Sequence, residues 1–248
     1  MQADGLSLRD ATDAFSLDGA SFTISWGEIV GIAGVEGNGQ SELGMILADL
    51  ADLGAGRWFA DGRELMRAAR QITCAGVATV LEDRRAVACA TPMSVAQNML
   101  DSRLSQVSRI GLIDRGSMRA EAGAMMVRFD VHGAGPDARF GGLSGSTRQK
   151  AAPARELTTA NLKFLPAVQP TRSLDVGAVE AVCGLTRSAC AGGAGVPPVS
   201  TELDEILTVA DRLLAMHRGR IVNQRSTRRD GRLGDRTPIG AKMAGQGI

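Results

Sequence analysis

The chain has no tyrosine, two tryptophans and six phenylalanines in 248 residues. So few rings give little material for binding single-stranded nucleic acid, where bases stack on aromatic side chains along a cationic groove. Charge argues the same way: 28 Lys and Arg against 27 Asp and Glu leave a formal net charge of +1, and no nucleic-acid partner is expected. The four cysteines, Cys74, Cys89, Cys183 and Cys190, show no C-x-x-C pairing, and the two histidines, His132 and His217, are isolated. That pattern argues against a zinc site and reads as reduced thiols of a cytosolic protein. No apolar run approaches the ~18–20 residues needed to span a bilayer. The first residues also lack the basic-then-apolar pattern of a signal peptide.

What is present is a glycine loop. Gly34-Val35-Glu36-Gly37-Asn38-Gly39-Gln40-Ser41 follows the apolar run Ile29–Ala33 and precedes a helix-like stretch from Glu42 to Leu53. Strand, glycine loop and helix in that order make a phosphate-binding P-loop, G-x-x-x-x-G-K-[ST]. Glycines let backbone N–H groups turn inward toward phosphate oxygens, beside a helix N-terminus that favours negative charge. Gln40 stands where the pattern wants lysine.

Around this loop, Phe22–Ile24 reads as a short strand, and Arg57–Ala60 with Asp61-Gly62 as a hairpin. Ala75–Leu81 reads as a buried strand, and residues 94 to 130 as mostly helical with a break near Gly111. Met125, Met126, Val127 and Phe129 read as an apolar packing stripe. The pattern predicts an α/β core carrying a helical subdomain.

Several stretches together resemble the nucleotide-binding domain of ATP-binding cassette (ABC) transporters, most of all the second, C-terminal ATPase half of bacterial sugar and nucleoside importers. Gly27 to Leu43 is similar to that half almost letter for letter, glutamine included. Leu143-Ser144-Gly145-Ser146-Thr147-Arg148-Gln149-Lys150 resembles its signature, and Gln169 to Ala178 the end of Walker B and the D-loop. Ser200 to Leu207, Asp211-Arg212 and Arg218 to Val222 resemble its closing region.

The resemblance implies a P-loop NTPase core of ABC ATPase type, with an antiparallel β subdomain and a helical subdomain at about 84–150. The nucleotide-binding domain would span 1–225, and a basic, disordered tail 226–248. It implies ATP and Mg²⁺ as cofactors. Gly34, Gly37, Asn38, Gly39, Gln40 and Ser41 would bind ATP, with the Ser41 hydroxyl on the metal. Glu82 would occupy the Q-loop position and Asp175 the D-loop. Leu143, Ser144, Gly145 and Ser146 would face ATP on a second ABC nucleotide-binding domain. Membrane permease subunits would be the other partners, placing the chain peripherally on the cytoplasmic face of the bacterial inner membrane. Phe15 is the nearby candidate for stacking on adenine, with a core role as the competing reading.

Hydrolysis needs charge neutralisation, a placed metal and an oriented water. In the resemblance, Gln40 replaces the lysine, Val168 the Walker B aspartate, Gln169 the general-base glutamate and Thr201 the switch histidine. The expectation is therefore an importer ATPase half with an impaired site of its own. The alternative is a decayed or truncated remnant: Pro166, Pro197 and Pro198 fall in expected core strands, where a missing N–H is unwelcome.

Overall fold

Val30-Gly31-Ile32-Ala33-Gly34 is buried along its whole length, as a strand covered on both faces must be. The coordinates are a computed structural model that describes residues 1–9, 13–65, 75–81, 89–104, 106–133, 135–159, 161–171, 176–229, 232–233 and 237–245. The strands are β1 (Gln2–Arg9), β2 (Phe15–Thr23), β3 (Val30–Gly34), β4 (Ala55–Ala60), β5 (Arg63–Glu64), β6 (Val80–Leu81), β7 (Ser108–Arg109) and β8 (Leu112–Ile113). They continue as β9 (Ala167–Val168), β10 (Pro198–Ser200), β11 (Arg212–His217), β12 (Arg220–Ser226), β13 (Arg228–Arg229) and β14 (Arg232–Leu233). The α-helices are α1 (Gln40–Leu47), α2 (Val95–Met99), α3 (Arg115–Arg128), α4 (Gly145–Leu157), α5 (Val176–Ala191), α6 (Leu203–Val209) and α7 (Thr237–Met243).

The chain divides into two compact units, Met1–Glu82 with Leu162–Ile248, and Asp83–Asn161. Among the described residues the first holds two large sheets and the two-stranded pair β13-β14. One large sheet is antiparallel, in the order β2-β1-β4-β5. The other runs β12-β11-β3-β10-β9-β6, parallel from β11 through β6, with β12 antiparallel at its edge. Leu6, Leu17 and Trp58 from the first sheet share one core with Ile32, Val199 and Leu214 from the second and Leu43 and Leu47 of α1. Trp58 and Phe164 meet with tilted rings, centroids 6.5 Å apart.

The hairpin expected at Asp61-Gly62 is present, with both residues at positive φ between β4 and β5. The strand expected over Ala75–Leu81 shortens to β6, preceded by a single parallel bridge from Val77 to Phe164. The prolines are accommodated by their carbonyls. Pro166 O accepts from Val80 N at 2.8 Å, and Pro197 O accepts from Ala167 N at 3.1 Å. Each proline forfeits only the donor that covalent chemistry denies it. Regular pairing accordingly contracts to two residues in β9 and three in β10.

The second unit has its own core, in which Val95, Met99 and Leu100 pack with Met118, Ala122, Met126, Phe140 and Ala154. Met125 and Met126 are buried as expected, but Val127 is 85% exposed. On a 3.6-residue helix three consecutive positions cannot all face one core. The break near Gly111 is a β7–β8 hairpin. Its two-residue turn, Ile110-Gly111, has positive φ at both positions. The unit extends to Asn161, so the helix after the signature continues past the boundary of 150 expected from sequence.

The stretch read as a disordered tail is also corrected in part. Within 226–248, α7 buries Ile239 and Met243 to 3% and 5% exposure. Spaced four apart, these two apolar residues fall on one helical face, a signal obscured in the sequence by the surrounding arginines.

Candidate functional site

The C-terminal ends of the parallel strands β3, β9 and β10 lie side by side in the second sheet. A nucleotide site in an open α/β sheet is built at such ends. From β3 the chain enters Val35–Gly39 and then α1, with Gly37 at φ 84° and Gly39 at φ 91°. Both need glycine for the left-handed backbone. Gly39 needs it twice, because a Cβ there would sit 2.2 Å from the carbonyl oxygen of Ser16 in β2. The loop is pinned from outside through Asn38: its side-chain oxygen accepts from Arg218 N at 3.1 Å, and its backbone carbonyl from Gly219 N at 3.0 Å.

Gln40 opens α1 at 1% exposure. Neither its Nε2 nor its Oε1 has a hydrogen-bond partner. Its amide lies back over Gly34, where an added Cβ would come within 2.8 Å of Oε1. Two more buried polar atoms lacking a partner follow β9, Gln169 Oε1 and Thr171 Oγ1. Gln169 adopts φ 47°, an uncommon left-handed backbone for a non-glycine residue, and its N–H donates to Val199 O at 2.7 Å. Among the described residues such atoms also occur at Arg103, Arg148, Thr159 and Glu205, so it is the place of Gln40, at the helix start behind the glycine loop, that suits a polar ligand.

The positions singled out in the sequence divide as follows. Gly34, Gly37, Asn38, Gly39, Gln40 and Ser41 form one loop and helix start. Val168 packs on α1: a Cβ at Gly44 would meet both Val168 methyls at 3.0 Å. Because Gly44 lies four residues after Gln40, both share the face of α1 turned to β9. Thr201 is half-buried just beyond β10. Phe15 is not in the core. It is 47% exposed at the start of β2, with the Arg9 guanidinium 3.9 Å from its ring centroid. Glu82 and Asp175 lie outside the described residues.

In the second unit Leu143 is 8% exposed, and Ser144 is the N-cap of α4. Its hydroxyl accepts from Thr147 N at 3.2 Å and lies 2.8 Å from Thr147 Oγ1. Gly145 and Ser146 begin the helix. The cap is the local reason α4 starts here, since it satisfies one of the unpaired N–H groups of the first turn.

Phosphate chemistry fits the loop: it offers glycine-shaped backbone, a helix N-terminus and a buried amide. Mg²⁺ takes its charged oxygens from carboxylates and from the phosphates it accompanies; the described residues add the Ser41 hydroxyl and the Gln169 amide oxygen, and Glu82 lies outside them. Among the described residues no group of three or more His, Cys, Asp or Glu could hold a metal ion.

Sequence reasoning missed the contribution of Asn38 as the tether of the loop. A side-chain amide beside three glycines was a possible signal, but its partners lie about 180 residues on.

Comparison with known proteins follows the same line. The chain is 38% identical over 252 residues to the glucose import ATP-binding protein TsgD13 of Haloferax volcanii, a match covering all of this chain and 45% of that protein. It is 35% identical over 224 residues to the nucleoside import ATP-binding protein NupA of Lactococcus lactis, covering 89% of this chain and 44% of that protein. The chain thus spans somewhat under half the length of the curated relatives it matches. The match falls on the N-terminal half of those relatives, which corrects the expected likeness to a second, C-terminal half. Among solved structures, the fold resembles the dimeric post-hydrolysis ATP-binding cassette MJ0796 bound to ADP and Pi, with TM-score 0.76 and 17% identity over 92% of this chain and 99% of that one. It also resembles the ADP conformation of MJ1267, an ATP-binding cassette of an ABC transporter, with TM-score 0.74 and 17% identity over 98% and 94%. The family model described as ABC transporter matches residues 17–164, and with the glycine loop and the capped signature helix both inside that match, the chain belongs to the ABC transporter family.

Proposed function

We propose that the chain is an ATP-binding half of an importer for sugars or nucleosides, and that its own site binds nucleotide without turning it over. The observation that carries this reading is Gln40. A buried amide without partners, at the first position of α1 behind the glycine loop, suits a phosphate oxygen but brings no positive charge. Backbone N–H groups from Gly37 to Ser41 would hold the phosphates, with the Ser41 hydroxyl beside them. ATP would be the ligand, and its hydrolysis would require neutralised charge and a base-oriented water. Val168 supplies no carboxylate, and the Gln169 amide can orient a water but cannot take its proton. Mg²⁺ would come with the nucleotide, held by phosphate oxygens and the Ser41 hydroxyl, and would supply charge neutralisation that Gln40 does not.

The names of the relatives, glucose and nucleoside import ATP-binding proteins, support the transport setting. In that setting Ser144, Gly145 and the rest of the signature would complete the site of a second, intact nucleotide-binding domain. Glu82 and Asp175 would carry the Q-loop and D-loop contacts. Permease subunits would hold the assembly at the cytoplasmic face of the bacterial inner membrane. Among the described residues no helix is long and apolar enough to cross a membrane.

Thermal unfolding and phosphate release measured on the same preparation test the reading. ATP should raise the midpoint, because a ligand of the native state stabilises it, while phosphate release stays at background. The triple variant Gln40→Lys, Val168→Asp, Gln169→Glu should gain measurable turnover. Robust hydrolysis by the unaltered chain, abolished by Ser41→Ala, would sink the claim that the site is non-hydrolytic.

A further inference from the structure

The helix α7 touches the glycine loop, and nothing in the binding of phosphate by backbone groups requires that it should. The Asn38 side chain donates from Nδ2 to the carbonyl of Met243 at 3.0 Å. That carbonyl belongs to the last residue of α7, where helical carbonyls have no partner within the helix. The Nδ1 of His217, the final residue of β11, lies 3.1 Å from the same oxygen. Beyond it, Gly245 holds φ 81°, and a Cβ there would come within 2.8 Å of the His217 ring. The helix is seated by burial of Ile239 and Met243, so its terminal carbonyl is delivered to the loop by packing elsewhere.

Asn38 is thereby held at three atoms, with Nδ2 on α7 and Oδ1 and the backbone carbonyl on the turn between β11 and β12. A loop already held in its binding geometry avoids the entropy of being ordered when the ligand arrives. We propose that α7 is a positioning latch for the phosphate loop. Met243 O, supported by His217, holds Asn38, so docking of α7 and binding of nucleotide favour each other. The inference rests on the nucleotide reading of the loop. It adds that a helix outside the loop sets how well the loop binds. Such coupling is reciprocal: if α7 strengthens nucleotide binding, nucleotide strengthens the seating of α7 by the same factor.

Hydrogen–deuterium exchange over residues 237–245 of the full chain tests this, with and without saturating ATP, beside ATP affinity by fluorescence titration. ATP should slow exchange in that segment. His217→Phe removes the ring nitrogen that supports Met243 without altering the loop. It should speed exchange in 237–245 and weaken ATP binding about five- to tenfold, within the usual range of coupling between sites. His217→Asn, whose amide can donate from nearly the same place as Nδ1, should recover most of both effects. A purely structural role for His217 would not be rescued in affinity by restoring one donor. If ATP binds but exchange in 237–245 does not respond to it, the latch is overturned and the nucleotide reading stands. The latch is equally overturned if His217→Phe frees the helix with affinity unchanged. If the unaltered chain binds no ATP, the nucleotide reading falls and the latch with it.

Discussion

Both amide atoms of Gln40 are buried without a partner, and leaving a buried polar group unsatisfied costs about 1–3 kcal/mol. Methionine has similar length and no such requirement. Gln40→Met should therefore stabilise the ligand-free protein by about 1–2 kcal/mol in denaturant unfolding, while reducing the upward shift caused by ATP. A loss of stability, or an unchanged response to ATP, would remove Gln40 from the site. Two cysteines give a second check at this scale. Burial pushes the Cys183 and Cys190 thiols up from their ordinary value, so little thiolate is present at neutral pH. Both should alkylate more slowly than free cysteine at pH 7, as read by mass spectrometry after timed iodoacetamide treatment. The identities of Gln40, Val168, Gln169 and Thr201 were legible in the sequence, because motif spacing places them. The orphaned amide and the left-handed backbone of Gln169 were not, since both depend on which neighbours surround them.

At the scale of the element, local signals were read well where they were local. Asp61-Gly62 announced its hairpin, and the glycines from Gly34 to Gly39 announced a tight loop between a buried strand and a helix. The hairpin between β7 and β8 escaped because its turn carries Ile110 at φ 52°, fully exposed, where Asn-Gly is the usual choice. A left-handed backbone costs a non-glycine residue about 1–2 kcal/mol, and asparagine tolerates it better. Ile110→Asn should thus raise stability by roughly 0.5–1 kcal/mol, measurable as a higher denaturant midpoint with an unchanged slope. A decrease would mean the isoleucine makes a favourable contact that its exposure conceals. The central strands carry a mixed outcome. Prolines foretold disruption, and regular pairing does contract there, yet the sheet keeps its order because each of Pro166 O and Pro197 O still accepts from one neighbouring strand.

For the whole molecule, the least legible feature was how far the chain travels to complete its first unit. Glu28 and Arg212, 184 residues apart, form an ion pair at 2.7 Å with side chains 19% and 17% exposed. Next to it, Asp211 Oδ2 accepts from Ile29 N at 3.0 Å. Burial pushes the Glu28 carboxyl upward, but the hydrogen bond and charge of Arg212, with the Ser25 N–H, outweigh it and hold the group below its ordinary value. A carboxylate whose value is lowered on folding contributes stability above its unfolded value and loses it as pH falls through the folded one. The contribution of Glu28 should be intact at pH 7 and fade below about pH 4.5, the ordinary glutamate value. Glu28→Gln should cost about 1.5–3 kcal/mol at pH 7, with the gap to the unaltered chain narrowing toward pH 3. A gap independent of pH would assign the loss to packing instead of charge.

The strand order has a consequence for how the protein comes into being. β3 is flanked by β10 and β11, and both are encoded after the entire second unit. Emerging from the ribosome, the glycine loop has a strand without neighbours and a tether, Asn38, without anything to hold. The unit from Asp83 to Asn161 can collapse on its own core first, since domains tend to fold as they are made. The glycine loop gains its Asn38 tether only when the turn at Arg218-Gly219 arrives, about 180 residues after Asn38. The loop thus stays unpinned until that turn has left the ribosome, and the third hold on Asn38, the carbonyl of Met243, comes later still.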